Sequence, residues 1–184
     1  KYHRECYGNP SSLHCKGGVA KKAMEHARKV IADQIGASPC EIIFTSGGTE
    51  ANNIVMKSMA FSNIDKGNHI IISKIEHDCI MNSAKWLESQ GFDLTYLDVD
   101  ENGFVRPEEL EKYITDTTTL VSIIHGNNEI GTIQNLKDLY DIAKRHDAYF
   151  HTDACQSFTK TDIDTSMADM ITLNAHKIHG PQGV

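Results

Sequence analysis

The spacing of hydrophobic and polar positions changes repeatedly along the chain, and each change marks an element. Over 18–35 the apolar residues Val19, Ala23, Ala27, Val30 and Ile31 recur mostly at intervals of three and four, which puts them on one face of a helix. Short apolar runs with strand character occupy 41–45, 69–73, 93–97, 120–124, 148–152 and 170–173. Helical patterns at 51–61, 80–90, 107–114 and 136–145 separate most of them. Strand and helix in alternation predict an α/β fold, a parallel or mixed sheet with flanking helices, over the single stretch 1–184.

Composition narrows the class. The 184 residues are 40% hydrophobic and 23% charged, enough for one ordinary core. A net charge of −7 without a basic run argues against a nucleic-acid partner. No apolar stretch approaches a membrane span and no signal peptide is visible, so no membrane partner is expected. Cys6, Cys15, Cys40, Cys79 and Cys155 are odd in number and form no CxxC, which fits reduced thiols in the cytoplasm. His176 and His179 lie three apart, but no HExxH or Cys/His cluster accompanies them, so no metal site is expected. The run Asp98 to Gly103 with Glu109 matches calcium-loop spacing. A strand rather than a helix precedes it, so it reads as a strand-turn-helix connection.

Four segments could carry chemistry. In Leu173-Asn174-Ala175-His176-Lys177-Ile178-His179-Gly180-Pro181 a lysine sits in a turn after an apolar run. Such a lysine is poorly placed for solvation and well placed to carry an aldehyde cofactor as a Schiff base, although most lysines are solvated surface charges and the signal alone is weak. Phe44-Thr45-Ser46-Gly47-Gly48-Thr49-Glu50 joins a strand-like run to a helix. Its glycines allow close backbone approach and the new helix's N–H groups favour a phosphate; a plain helix cap is the alternative. Asp153, in His151-Thr152-Asp153-Ala154-Cys155-Gln156, ends a strand, where it either holds a ring nitrogen protonated or caps a turn. His125-Gly126-Asn127-Asn128-Glu129-Ile130-Gly131 follows another strand; its amides and carboxylate suit an amino-acid substrate, or an Asx turn.

Taken in order, Gly8-Asn9-Pro10-Ser11-Ser12-Leu13-His14, the GGTE loop, Glu76-His77-Asp78, NNEIG, DACQ and AHKIHGP resemble the cysteine desulfurases of the NifS/IscS type. These are class V, fold-type-I pyridoxal-phosphate enzymes, and the resemblance covers nearly the whole chain. It implies pyridoxal 5'-phosphate as cofactor and part of a fold-type-I large domain as the fold. It makes Lys177 the lysine that carries the cofactor, Asp153 the partner of the pyridine nitrogen, Gln156 the partner of the phenolic oxygen, and His77 the residue that stacks on the ring and shuttles protons. Gly48, Thr49, Asn174 and His176 match the phosphate cup, and Asn128 matches the asparagine near the substrate carboxylate.

The family usually has Ser at the position of Asn174, and Lys is common at Gln182. The resemblance further implies L-cysteine as substrate, a homodimer, and a sulfur acceptor such as an iron–sulfur scaffold or a tRNA-thiolation relay. Relatives extend beyond both ends of this stretch, so 1–184 is expected to be an incomplete large domain. The C-terminal part, the small domain and the nucleophilic cysteine loop would then lie outside it, leaving the stretch alone inactive. Selenocysteine lyase or another class V activity, and a non-catalytic cofactor-binding or dimer-forming fragment, are the competing readings.

Overall fold

The computed structural model describes residues 2–183 and forms two compact units, one ending at Phe44 and the other beginning at Thr45. The first unit holds α1 (Tyr2–Glu5) and α2 (Cys15–Ile35). The helix predicted at 18–35 starts three residues earlier because His14 caps it: Gly17 N donates to His14 Nδ1 at 3.2 Å. Gly36, at φ 69°, ends it in the left-handed conformation.

The strand expected at 41–45 does not form. Glu41 closes a 3-10 turn, Pro39–Glu41, by accepting from Ser38 N at 2.7 Å. Ile42 is extended, but its carbonyl is taken by the Arg28 guanidinium, which also lies over the Phe44 ring at 4.9 Å. Apolar character favoured extended backbone, and without a neighbouring strand no ladder followed.

The second unit is built on five parallel strands: β1 (His69–Ser73), β2 (Asp93–Leu97), β3 (Thr118–Ser122), β4 (Tyr149–Asp153) and β5 (Met170–Thr172), in the order β2-β1-β3-β4-β5. Its helices are α3 (Gly48–Ser62), α4 (Asp78–Ser89), α5 (Pro107–Tyr113) and α6 (Leu136–Arg145). β3 begins two residues before the predicted run because buried threonines extend it: Thr118 Oγ1 meets His69 Nδ1 at 2.7 Å and Thr119 Oγ1 donates to the His69 carbonyl. The apolar run alone begins the strand at Leu120. The acidic turn after β2 is held by its own side chain, with Asp100 Oδ1 accepting from Asn102 N and Phe104 N at 2.9 Å each.

The strand order fixes where helices lie. From β1 the chain steps outward to β2, then returns past β1 to β3 and continues outward the other way. Right-handed crossovers therefore place α4 on one face and α5 and α6 on the other. Successive β1 side chains alternate between those faces. Ile70 and Ile72, with Leu120, pack on Met56 and Ala60 of α3 and on Ile80, Ala84 and Leu87 of α4. Phe61 closes this layer edge-on against Phe92 at 5.2 Å. On α6, Leu139, Ile142 and Ala143 are buried, and Tyr140 meets Phe150 edge-on at 5.9 Å. The reversal between β1 and β3 leaves a crevice at the carboxyl ends of the strands, where ligands bind open α/β sheets.

Candidate active site

A cleft of about 200 Å³ occupies that crevice, wholly within the second unit. All nine residues singled out from the sequence line it. Gly48 and Thr49 come from the first turn of α3, and His77 caps α4 just beyond β1. Asn128 follows β3, Asp153 and Gln156 stand at the end of β4, and Asn174, His176 and Lys177 follow β5.

One end is an anion cradle. Gly47 stands before α3 at φ 143°, a conformation that favours glycine. The first intrahelical bond runs from Ala51 N to the Gly47 carbonyl, so the N–H groups of Gly48, Thr49 and Glu50 precede the ladder. The positive end of the helix dipole faces the same space. A Cβ on Gly48 would lie 2.7 Å from Cys155 Sγ and 3.3 Å from Asn174 Nδ2, so glycine here is a packing requirement. Glu50 turns back to accept from Ser46 N at 2.5 Å, and that bond holds its carboxyl below the usual range. Asn174 caps the 3-10 turn Ala175–Ile178 by accepting from His176 N at 3.3 Å, which leaves its Nδ2 as a donor beside Gly48. The amide can thus do what a hydroxyl would do at this position.

The other end is built around Asp153. It is 5% exposed, and both oxygens accept hydrogen bonds: Oδ1 from Cys155 N at 2.9 Å, Oδ2 from Asn52 Nδ2 at 2.6 Å. Gln156 Oε1 is buried without a hydrogen-bond partner, an acceptor awaiting a donor. His77 Nδ1 accepts from Cys79 N at 3.2 Å, which leaves Nε2 as the protonated nitrogen. Lys177 is exposed, so its position, not burial, marks it. No hydrogen bond or ion pair holds its ammonium among the described residues.

Of the NNEIG segment only Asn128 reaches the cleft. Asn127 is a structural staple, donating to the Ile75 carbonyl at 3.0 Å and accepting from Glu129 N and Ile130 N. Glu129 is exposed and lies outside the cleft lining.

Three contributors had no sequence signal strong enough to single them out. Asn52 lies four residues after Gly48, one helical turn along the same face, and is 1% exposed. Cys79 Sγ lies 3.1 Å from His77 Nδ1 and 3.2 Å from Asn52 Nδ2, and burial pushes its thiol up. Burial and the adjacent Asp153 charge push Cys155 up far more. Glu76 stands behind His77: its Oε1 accepts from Ser73 Oγ at 2.5 Å and Ile124 N at 2.7 Å, and burial pushes its carboxyl up to about 8. Each of the three has at least one partner far away in sequence, Asp153 for Asn52, Asn52 for Cys79 and Ile124 for Glu76, which no local pattern reports.

The donor set suits a phosphorylated pyridoxal. Free helix N–H groups and a hydroxyl meet a phosphate ester, a carboxylate meets a ring nitrogen, the orphaned Gln156 acceptor meets a hydroxylated ring, and an uncommitted amine meets an aldehyde.

Comparison with known proteins places the chain among relatives. Cysteine desulfurase IscS of Dictyoglomus turgidum is 49% identical over 183 residues, covering 98% of this chain and 46% of that protein. Cysteine desulfurase IscS of Methanosarcina thermophila is 49% identical over 184 residues, covering 99% and 46%. The chain thus spans about half the length of these curated relatives. A solved structure, SspA in complex with cysteine, matches with a TM-score of 0.94 at 42% identity, over 99% of this chain and 53% of that one. The α/β fold with its parallel sheet is the one expected from the sequence. The family model described as Aminotransferase class-V matches residues 1–184, and the chain belongs to that family.

Proposed function

We propose that this chain is the pyridoxal-phosphate-binding part of a cysteine desulfurase large domain, which converts L-cysteine to L-alanine and passes the sulfur to a thiol. The observation that carries the reading is the convergence of Lys177, Asp153 and the open N-terminus of α3 on one cleft. The names of the relatives favour it over selenocysteine lyase, another class V activity or a non-catalytic fragment.

The first turn of α3, with Thr49, Asn174 and His176, would hold the phosphate. Asp153 would face the ring nitrogen, Gln156 the phenolic oxygen, and His77 the ring face. When bound, the cofactor supplies an electron-withdrawing ring that stabilises negative charge at the carbon next to the substrate amine. Lys177 Nζ would hold the cofactor through its aldehyde and, when free, would move a proton at the substrate α-carbon. Asn128 orients the substrate carboxylate. His77, with Nδ1 committed to Cys79 N, moves protons at Nε2. The sulfur must be taken by a thiolate. Cys79 and Cys155 line the cleft, but burial disfavours the thiolate of each, so neither suits that task. A homodimer, a cytoplasmic location and transfer to an iron–sulfur scaffold or tRNA-thiolation relay belong to the same proposal. No helix among the described residues is long and apolar enough to cross a membrane.

Full-length protein loaded with pyridoxal phosphate should release sulfide from L-cysteine in the presence of a thiol reductant, and a separate sample reduced with borohydride and mapped by mass spectrometry should carry the adduct on Lys177. An adduct on Lys57 or Lys160 instead would sink the assignment.

A further inference from the structure

We infer that Asn52 is a positioning residue for Asp153: its buried carboxamide holds the carboxylate in the plane and orientation that meets a ring nitrogen. This rests on the functional reading above. The geometry is that of a built support. Asn52 is 1% exposed, lines the cleft floor, and donates from Nδ2 to Asp153 Oδ2 at 2.6 Å across 101 residues of sequence. Cys155 N holds the other oxygen at 2.9 Å. The carboxylate is therefore gripped from two sides, by helix α3 and by its own loop.

The same amide reaches Cys79 Sγ at 3.2 Å, and Cys79 in turn contacts His77. One side chain thus links the acid that would meet the ring nitrogen to the contact that holds His77. Asn52 Oδ1 is buried without a partner, so the amide is not satisfied in its own right. A group kept in that condition for packing alone would be replaced by an apolar residue at little cost. A donor aimed at a carboxylate would not.

The choice of Asn over Asp is informative. The two are nearly isosteric, but a carboxyl 2.6 Å from Asp153 Oδ2 would share one proton with it, because like charges so close cannot both ionise. Asp153 would then present a diminished charge to the ring. Asn52→Asp tests the donor without changing shape, and Asn52→Leu removes it with similar volume. Asn52→Ser keeps a shorter donor.

The experiment uses full-length protein loaded with pyridoxal phosphate. It follows the pH titration of the bound cofactor's absorption band, cofactor affinity by fluorescence, and kcat separately from KM. Asn52→Asp and Asn52→Leu should each move the titration midpoint by about one pH unit or more and lower kcat about tenfold or more, with KM within about threefold. Asn52→Ser should restore much of the wild-type midpoint. A purely structural role would lower the melting temperature and leave the titration in place, which would overturn the inference. So would an Asn52→Asp protein that loads and titrates like wild type, or, if that variant fails to fold, an Asn52→Leu protein that does so. Wild-type protein that takes up no cofactor would defeat the functional reading itself, and this inference with it.

Discussion

Glu76 ties folding stability to pH. Its carboxyl is buried behind His77, bonded through Oε1 to Ser73 and Ile124, while Oε2 has no hydrogen-bond partner. Burial pushes it from 4.5 up to about 8, against the two hydrogen bonds, with the Asp153 charge adding to the rise. Between those values the folded protein keeps a proton that the unfolded chain has released. Stability is therefore full below about pH 4.5 and is lost as pH rises through about 8. At about 1.36 kcal/mol per pH unit the whole window is on the order of 5 kcal/mol. That rivals the net stability of an ordinary domain.

His151 acts in the opposite sense. Burial pushes it down to about 4, so its window, from there to 6.5, is one in which stability rises with pH. The two windows overlap between about 4.5 and 6.5 and offset each other there, so the wild-type profile shows Glu76 by itself only above that range. Comparison with Glu76→Gln isolates the acid, because the amide mimics the protonated form and never ionises. Urea unfolding of both proteins between pH 5 and 9, with equal m-values, should show the difference in stability moving in favour of the variant by a few kcal/mol. A difference that stays constant across that range would refute the buried, protonated carboxyl.

Three further outcomes follow from the packing. Asp153→Ala in full-length protein should retain phosphate-anchored cofactor yet lose turnover by about 100-fold or more, measured as kcat beside cofactor absorbance; unchanged kcat would count against its role at the ring. Gly48→Ala should weaken cofactor binding by about tenfold, because the new Cβ meets Cys155 Sγ at 2.7 Å. Adding Cys155→Ala should recover part of the loss in a calorimetric titration, and no recovery would place the strain elsewhere. Leu87→Ala, in the fully buried layer between α4 and β1, should cost about 2–5 kcal/mol in urea unfolding; a smaller loss would mean that this layer collapses around the cavity.

Much of the fold was legible because its signals are local. The helix at 136–145 was predicted to the residue, since α6 alternates buried Leu136, Leu139, Ile142 and Ala143 with charges at helical spacing. The strands at 69–73 and 93–97 were equally plain. The run at 41–45 failed because a strand exists only when another strand lies beside it, and pattern cannot supply the neighbour.

The nine candidate residues that line the cleft come from motifs, each a contiguous string at the end of an element. Chemistry at such ends depends on residue type and local turn geometry, and both are written in sequence. Their meeting in one cleft was decided by topology: the order β2-β1-β3-β4-β5 gathers strand ends separated by up to a hundred residues. The supports were invisible for the same reason. Asn52, Cys79 and Glu76 are ordinary in their own segments and become specific through partners on other elements: Asn52 through Asp153, Cys79 through Asn52 and Glu76 through Ile124. The sequence by itself determined most of the elements and the polar groups they carry. Only the tertiary structure decided which buried polar atoms are satisfied, which carboxyl keeps its proton and which side chain holds Asp153 in place, because desolvation and hydrogen bonding depend on neighbours that chain order does not bring together.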